Sequence, residues 1–94
     1  MYAVIGVWDI EPSMREEQRG YLDGIVAGVG RLPGLVKGYW SDGTDPRTSH
    51  TFILFSERDA AEQFAADVRG NVDDQAAAGV TNVSLDLTEV IATT

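Results

Sequence analysis

The chain has 94 residues, 44% of them hydrophobic, and no cysteine. That length suits one domain spanning 1–94, and the missing thiols exclude disulfides and thiolate metal sites. The 15 acidic residues against 7 basic ones give a net charge of −8, which repels phosphate backbones and argues against a nucleic-acid partner.

Residues 2–10, YAVIGVWDI, are β-branched and aromatic and predict a strand. Ser13 and Glu16 have the S-x-x-E spacing of a capping box, so a helix is expected to start there. Met14, Gln18, Tyr21, Leu22, Ile25, Val29 and Leu32 follow at helical spacing on one face, and Pro33–Gly34 stops the helix. Residues 35–41, LVKGYWS, predict a second strand. The stretch DGTDPRTS reads as a hairpin loop, with Asp42–Gly43 as its turn signal. Residues 50–56, HTFILFS, predict a third strand.

Ser56 is placed to cap a second helix, with Asp59 at its N3 position. Ala61, Phe64, Ala65, Val68 and Val72 make that helix's apolar face. Gly70–Asn71 interrupts it, and Asn71 can cap a short last helix ending near Gly79. Residues 81–92 predict a fourth strand, with near-alternation at Val83, Leu85 and Leu87.

The order β-α-β-β-α-β is the ferredoxin-like, split βαβ pattern of the α+β class. Right-handed crossovers then place two helices on one face of a four-stranded antiparallel sheet, with the first and third strands central. Those central strands are apolar on both faces. Ala3, Ile5 and Val7 oppose Tyr2, Val4, Trp8 and Ile10, while Phe52 and Leu54 oppose Ile53 and Phe55. Two helices cover only one face, and a large bare apolar patch usually marks an interface. A homodimer packed sheet to sheet is therefore expected. No apolar run is long enough to span a bilayer, and the N-terminus lacks the basic start of a signal peptide, so a cytoplasmic protein without a membrane partner is expected.

RLPGLVKGYW (31–40), HTFILFSERDAAEQFAADV (50–68) and AGVTNVSLDLTEVI (78–91) together resemble the antibiotic biosynthesis monooxygenase-like family of the dimeric α+β barrel superfamily. The likeness spans almost the whole chain and rests on fold-bearing residues, with no catalytic signature. It implies a homodimer whose sheets form a barrel, and a pocket between sheet and helices in each subunit. Some members oxidise polycyclic aromatic phenols with dioxygen and no cofactor; others degrade haem. The haem-degrading members use an Asn on the first strand, a Trp on the third and a His on the second helix. This chain has Gly6, Val7 and Trp8, then Phe55, and no His in 57–70. The expectation is accordingly no cofactor and no metal.

Within that frame several residues are candidates for chemistry. His50 is the sole histidine and suits a general base that takes a phenolic proton; a strand-end histidine bonded to a loop group or water is the competing reading. Trp8 offers a ring-stacking wall and a donor for a phenolate. Tyr2, Tyr39 and Trp40 are the other large aromatics with polar handles, and the adjacent Tyr39 and Trp40 must point to opposite faces. Ordinary core or interface packing would also account for each. Asp42 and Asp45 are explained by turn chemistry rather than a cation site.

Gly20, Gly24 and Gly28 recur every fourth residue along one flank of the first helix. Close approach of the second helix, through Ala60, Ala61 and Ala65, is the favoured explanation. Room for a ligand beside Gly24 and Gly28 is the sharper one. The functional expectation is a cofactor-independent monooxygenase-like protein acting on a small aromatic or quinol. The alternative is a non-catalytic dimer that binds or senses a small apolar molecule. An RNA-binding domain on the same strand order is disfavoured by charge and by a third strand without a basic-Gly-aromatic pattern.

Overall fold

The computed structural model describes residues 1–94. Four strands, β1 (Tyr2–Ile10), β2 (Leu35–Asp42), β3 (Thr48–Phe55) and β4 (Val80–Glu89), form one antiparallel sheet in the order β2-β3-β1-β4. The first and third strands are central, as the β-α-β-β-α-β order predicts. Helices α1 (Arg15–Gly30), α2 (Arg58–Arg69) and the short α3 (Val72–Ala77) accompany it. α1 leans on β2, α2 lies across β1, β3 and β4, and α3 sits against β4.

Pairing register sorts the sheet into two faces. Val4 pairs with Ile53 and Leu87, and Ile53 pairs with Gly38, so these four share the helix-facing side. On that side Val4, Ile53 and Phe55 pack with Val29 of α1 and with Ala61 and Ala65 of α2 into the core. The Phe55 and Phe64 rings meet at 5.4 Å in a tilted arrangement, a geometry that aligns ring edge with ring face. The opposite side carries Ile5, Val7, Phe52, Leu54 and Tyr39, and all of them remain partly or largely exposed. No helix covers that face.

Two irregularities depart from the sequence reading. β4 shifts register between Val7 and Trp8 of its partner: Val7 pairs with Ser84 but Trp8 with Asn82. Val83 is the extra residue, and it is exposed rather than in step with Leu85 and Leu87. The Asn82 side-chain amide spans the bulge by donating to Val7 O and Ser84 O at 3.2 and 2.9 Å, which satisfies carbonyls the bulge disturbs.

The helix starts also differ. The Ser13–Glu16 capping box does not form. Glu11 instead accepts the Ser13 backbone N–H at 3.2 Å and the Ser13 hydroxyl at 3.0 Å, at the head of a single 3₁₀ turn (Pro12–Met14) that precedes α1. Those bonds hold the exposed Glu11 carboxyl below its usual range. Pro12 at the first position of that turn needs no N–H partner, so the chain can enter α1 through the tighter turn. Ser56 does not cap α2 either; its hydroxyl donates at 3.3 Å to Gly34 O, which also receives the Ser56 N–H at 2.8 Å. That tie binds the end of β3 to the Pro-Gly corner, where Gly34 has φ +78, a conformation L side chains rarely adopt. Gly79, at φ +73, ends the turn after α3 in the same way. No helix is long and apolar enough to cross a membrane.

Candidate functional site

α1 does not close down on the sheet. Only Val29 of α1 is buried, while Tyr21, Ile25 and Val26 are 62%, 50% and 42% exposed. Between α1, the helix-facing side of the sheet and the inner sides of α2 and α3 lies an open cavity of about 1310 Å³. That exceeds the roughly 300–1,000 Å³ of common ligand pockets. Its α1 wall is Tyr21, Leu22, Ile25 and Val29; its floor includes Trp8, Trp40, Thr51 and Leu85.

The floor depends on two glycines. Trp8 follows Gly6 and Trp40 follows Gly38, each two residues on and therefore on the same sheet face. A Cβ at Gly6 would stand 2.6 Å from Thr51 Oγ1 and 2.6 Å from Trp8 Nε1. A Cβ at Gly38 would stand 2.8 Å from the Trp40 ring. Each indole thus lies folded back over a glycine that leaves space for it. Trp8 Nε1–H donates to Thr51 Oγ1 at 3.1 Å, which fixes the ring across β1 and β3. Thr51 accepts that bond, so its own hydroxyl hydrogen is free to turn towards the cavity.

One corner of the cavity is charged. Arg15 Nη1 meets Asp42 Oδ2 at 2.9 Å, and Arg15 Nη2 donates to Pro46 O at 2.9 Å. Arg19 Nη2 stands 3.7 Å from the same Asp42 oxygen. Along the wall near the start of α1, the Gln18 amide donates to Glu11 O, Ala78 O and Gly79 O, at 3.2, 3.0 and 3.3 Å. It ties α1 to the turn before β4. No cluster of three or more His, Cys, Asp or Glu side chains exists that would hold a metal ion.

Solved structures share this fold. A candidate antibiotic biosynthesis monooxygenase from Deinococcus radiodurans superposes with a TM-score of 0.82 at 15% identity, over 100% of this chain and 96% of that one. SnoaB, a cofactor-independent oxygenase from Streptomyces nogalater, gives 0.75 at 15% identity, over 98% and 94%. The heme-degrader MhuD from Mycobacterium tuberculosis, with two hemes bound in its active site, gives 0.74 at 13% identity, over 100% and 99%. This is the antibiotic biosynthesis monooxygenase-like fold. No family model matches the chain, and no curated protein matches it. Identities this low establish the fold and leave the chemistry to this chain's own residues.

On this monooxygenase-like fold the residues singled out from sequence separate. Trp8 and Trp40 both line the cavity. His50 does not join them. It pairs with Val7 and Ser41, so it lies on the outer face with Phe52 and is exposed. Strand alternation keeps it on the side opposite Trp8, and the two form no common centre. Tyr39 shares that outer face, paired with Phe52, with Lys37 Nζ 5.7 Å above its ring. Tyr2 packs against the core instead of lining the cavity.

Gly24 and Gly28 are absent from the lining, and a Cβ at Gly20, Gly24, Gly28 or Gly30 would meet nothing within 4 Å. The glycine flank therefore meets neither α2 nor the cavity; Ala61 and Ala65 are spent on the sheet. Trp8 keeps its wall but loses its donor role, since Thr51 takes its N–H. Sequence reasoning missed Thr51, Arg15, Arg19 and the paired glycines Gly6 and Gly38. The repeated G-x-W, in GVW and GYW, was the available signal. Asp42, read as a turn residue, is an ion-pair partner at the end of β2.

Proposed function

We propose that the chain is a cofactor-independent monooxygenase-like protein that takes a small aromatic or quinol substrate into the cavity between α1 and the sheet. The observation that carries this reading is the pair of indoles lying over Gly6 and Gly38 beneath an apolar helix wall. Flat rings stack on such a floor at little entropic cost, because both indoles are already positioned. Oxidation of a quinol by dioxygen requires its deprotonated, electron-rich form. The Thr51 hydroxyl, polarised by the Trp8 N–H it accepts, is the floor group able to donate to a phenolate oxygen.

The test is oxygen uptake and product formation with a panel of naphthalene and anthracene quinols. Turnover that falls on Thr51→Val and Trp8→Phe supports the reading. Retained turnover in both variants, or none across the panel, overturns it. His50→Gln belongs in the same series as a control: the histidine lies on the sheet's other face, out of hydrogen-bond reach of the cavity, and turnover should be unchanged.

A second reading has its own observation. The cavity contains no histidine, and the carboxylate beside its floor, Asp42, is committed to Arg15. A cavity with no histidine, whose carboxylate beside the floor is already paired, suits a non-catalytic protein that binds or senses an apolar molecule. Ligand-dependent thermal stabilisation without product formation distinguishes it.

Either reading includes a homodimer through the outer sheet face. Ile5, Val7, Phe52, Leu54 and Tyr39 make a patch there that no element of the chain covers. Phe52→Asp should give a monomer in sedimentation equilibrium where the parent chain sediments as a dimer. A monomeric parent chain sinks this part.

A further inference from the structure

We infer that the cavity selects planar ligands bearing an anionic substituent, and that Arg19 is the residue that recognises it. This inference rests on the cavity being a ligand site, as proposed above, and adds the ligand's charge.

The chain carries 7 basic residues in all, and two of them, Arg15 and Arg19, line the cavity one helical turn apart. Their commitments differ. Arg15 is held twice, by Asp42 at 2.9 Å and by Pro46 O at 2.9 Å. Its charge is matched by the one carboxylate in that corner. Arg19 lies 3.7 Å from Asp42, beyond hydrogen-bond distance, and its guanidinium donates no hydrogen bond to the chain. One carboxylate therefore faces two guanidinium groups, and the surplus charge and the free donor fork both belong to Arg19.

Releasing Arg19 from Asp42 costs little. The pair is exposed, at 67% and 51% for the two side chains, and such contacts contribute about 0–1 kcal/mol. A carboxylate offered by a ligand can take both arms of the fork, a geometry Asp42 does not supply at this distance. Position fits as well. Leu22 is three residues beyond Arg19 on the same helix wall, so a ring resting on Leu22 and the indoles sets a substituent within about one turn of the guanidinium. The other walls reinforce the direction. Asp67 of α2 and Asp74 of α3 also line the cavity, and like charges turn an anionic group away from them. The ligand is thereby oriented with its rings over the tryptophans and its anion towards α1 and β2.

Calorimetric titration with naphthoate and with the neutral naphthalenemethanol tests this directly, since the two differ in charge while sharing the ring. The parent chain should bind naphthoate about tenfold more tightly, the effect of one exposed charge-assisted contact. Arg19→Gln should remove that preference and leave binding of the alcohol unchanged. Arg19→Lys, which keeps the charge without the fork, should retain part of it. Arg19 is exposed and donates to nothing in the chain, so these variants should fold; circular dichroism checks it. Equal binding of both probes by the parent chain overturns the inference while leaving the cavity as a ligand site. An undiminished preference in Arg19→Gln overturns it too. Binding of neither probe overturns this inference and the reading of the cavity together.

Discussion

α1 and α2 are both amphipathic and lie over the same face of the same sheet, yet one builds the core and the other builds a wall. α2 presents Ala61 and Ala65 to the sheet, and both are buried to 1% or less. Small side chains let its backbone come close, so Phe55 and Phe64 can interlock beside it. α1 presents Tyr21, Leu22 and Ile25 to the open cavity, with Tyr21 and Ile25 half or more exposed, and it touches the core mainly through Val29 near its end. Helical periodicity reports which face a helix turns inward. It does not report whether that face arrives at contact distance.

Truncation should separate the two regions most sharply. Phe55→Ala removes a fully buried ring from the α2 side and is expected to cost about 3–5 kcal/mol, a large part of a small domain's stability. Ile25→Ala, on the half-exposed α1 wall, should cost less than about 1 kcal/mol. Urea titrations of the two variants give both numbers. Equal losses would mean that α1 packs onto the sheet in solution and that the cavity is closed.

The floor between the two regions gives the next effect. Gly38→Ala places a methyl group against the Trp40 ring at 2.8 Å and against Ile53 Cδ1 at 3.1 Å. Ile53 is packed in the core and the Trp40 ring is the nearer group and borders the cavity, so the indole is expected to swing towards the cavity. Overpacking of this kind costs about 1–3 kcal/mol. Tryptophan emission should shift, and planar ligands should bind more weakly. An unchanged emission maximum with unchanged binding would show that the ring does not depend on Gly38.

Strand order, central strands and helix count were legible because each rests on local periodicity and punctuation: alternation in YAVIGVWDI, Pro-Gly after the first helix, Gly-Asn within the second. The candidate site was half legible. Trp8 and Trp40 could be placed by parity, and the same parity puts His50 with Phe52 and away from Trp8. The Arg15–Asp42 pair joins residues 27 positions apart, and no local pattern announces it. The caps failed for a related reason. Ser13 and Ser56 have the right spacing, but Glu11 and the Gly34 carbonyl offer partners that only the folded corner brings near. Val83 left its face because one extra residue in β4 reverses alternation, and nothing in TNVSLDL marks where that residue falls.

The smallest effect concerns the glycines of α1. If they were there to admit α2, a methyl group would clash; if they bordered the cavity, it would obstruct a ligand. The structure places open space beside each of them, and both explanations lose their object. What remains is the intrinsic cost of glycine in a helix interior, about 0.5–1 kcal/mol relative to alanine. Gly24→Ala is therefore expected to stabilise the protein by about that amount, which for a domain of this size raises the melting temperature by a few degrees, about 4–8 °C per kcal/mol. Ligand affinity should not change. A drop in melting temperature would instead reveal a neighbour at that flank, and the outer surface of α1 would join the list of contact surfaces alongside the bare face of the sheet. A gain in stability with weaker binding would say that the wall must flex to admit its ligand. α1 would then differ from α2 in mobility as well as in packing.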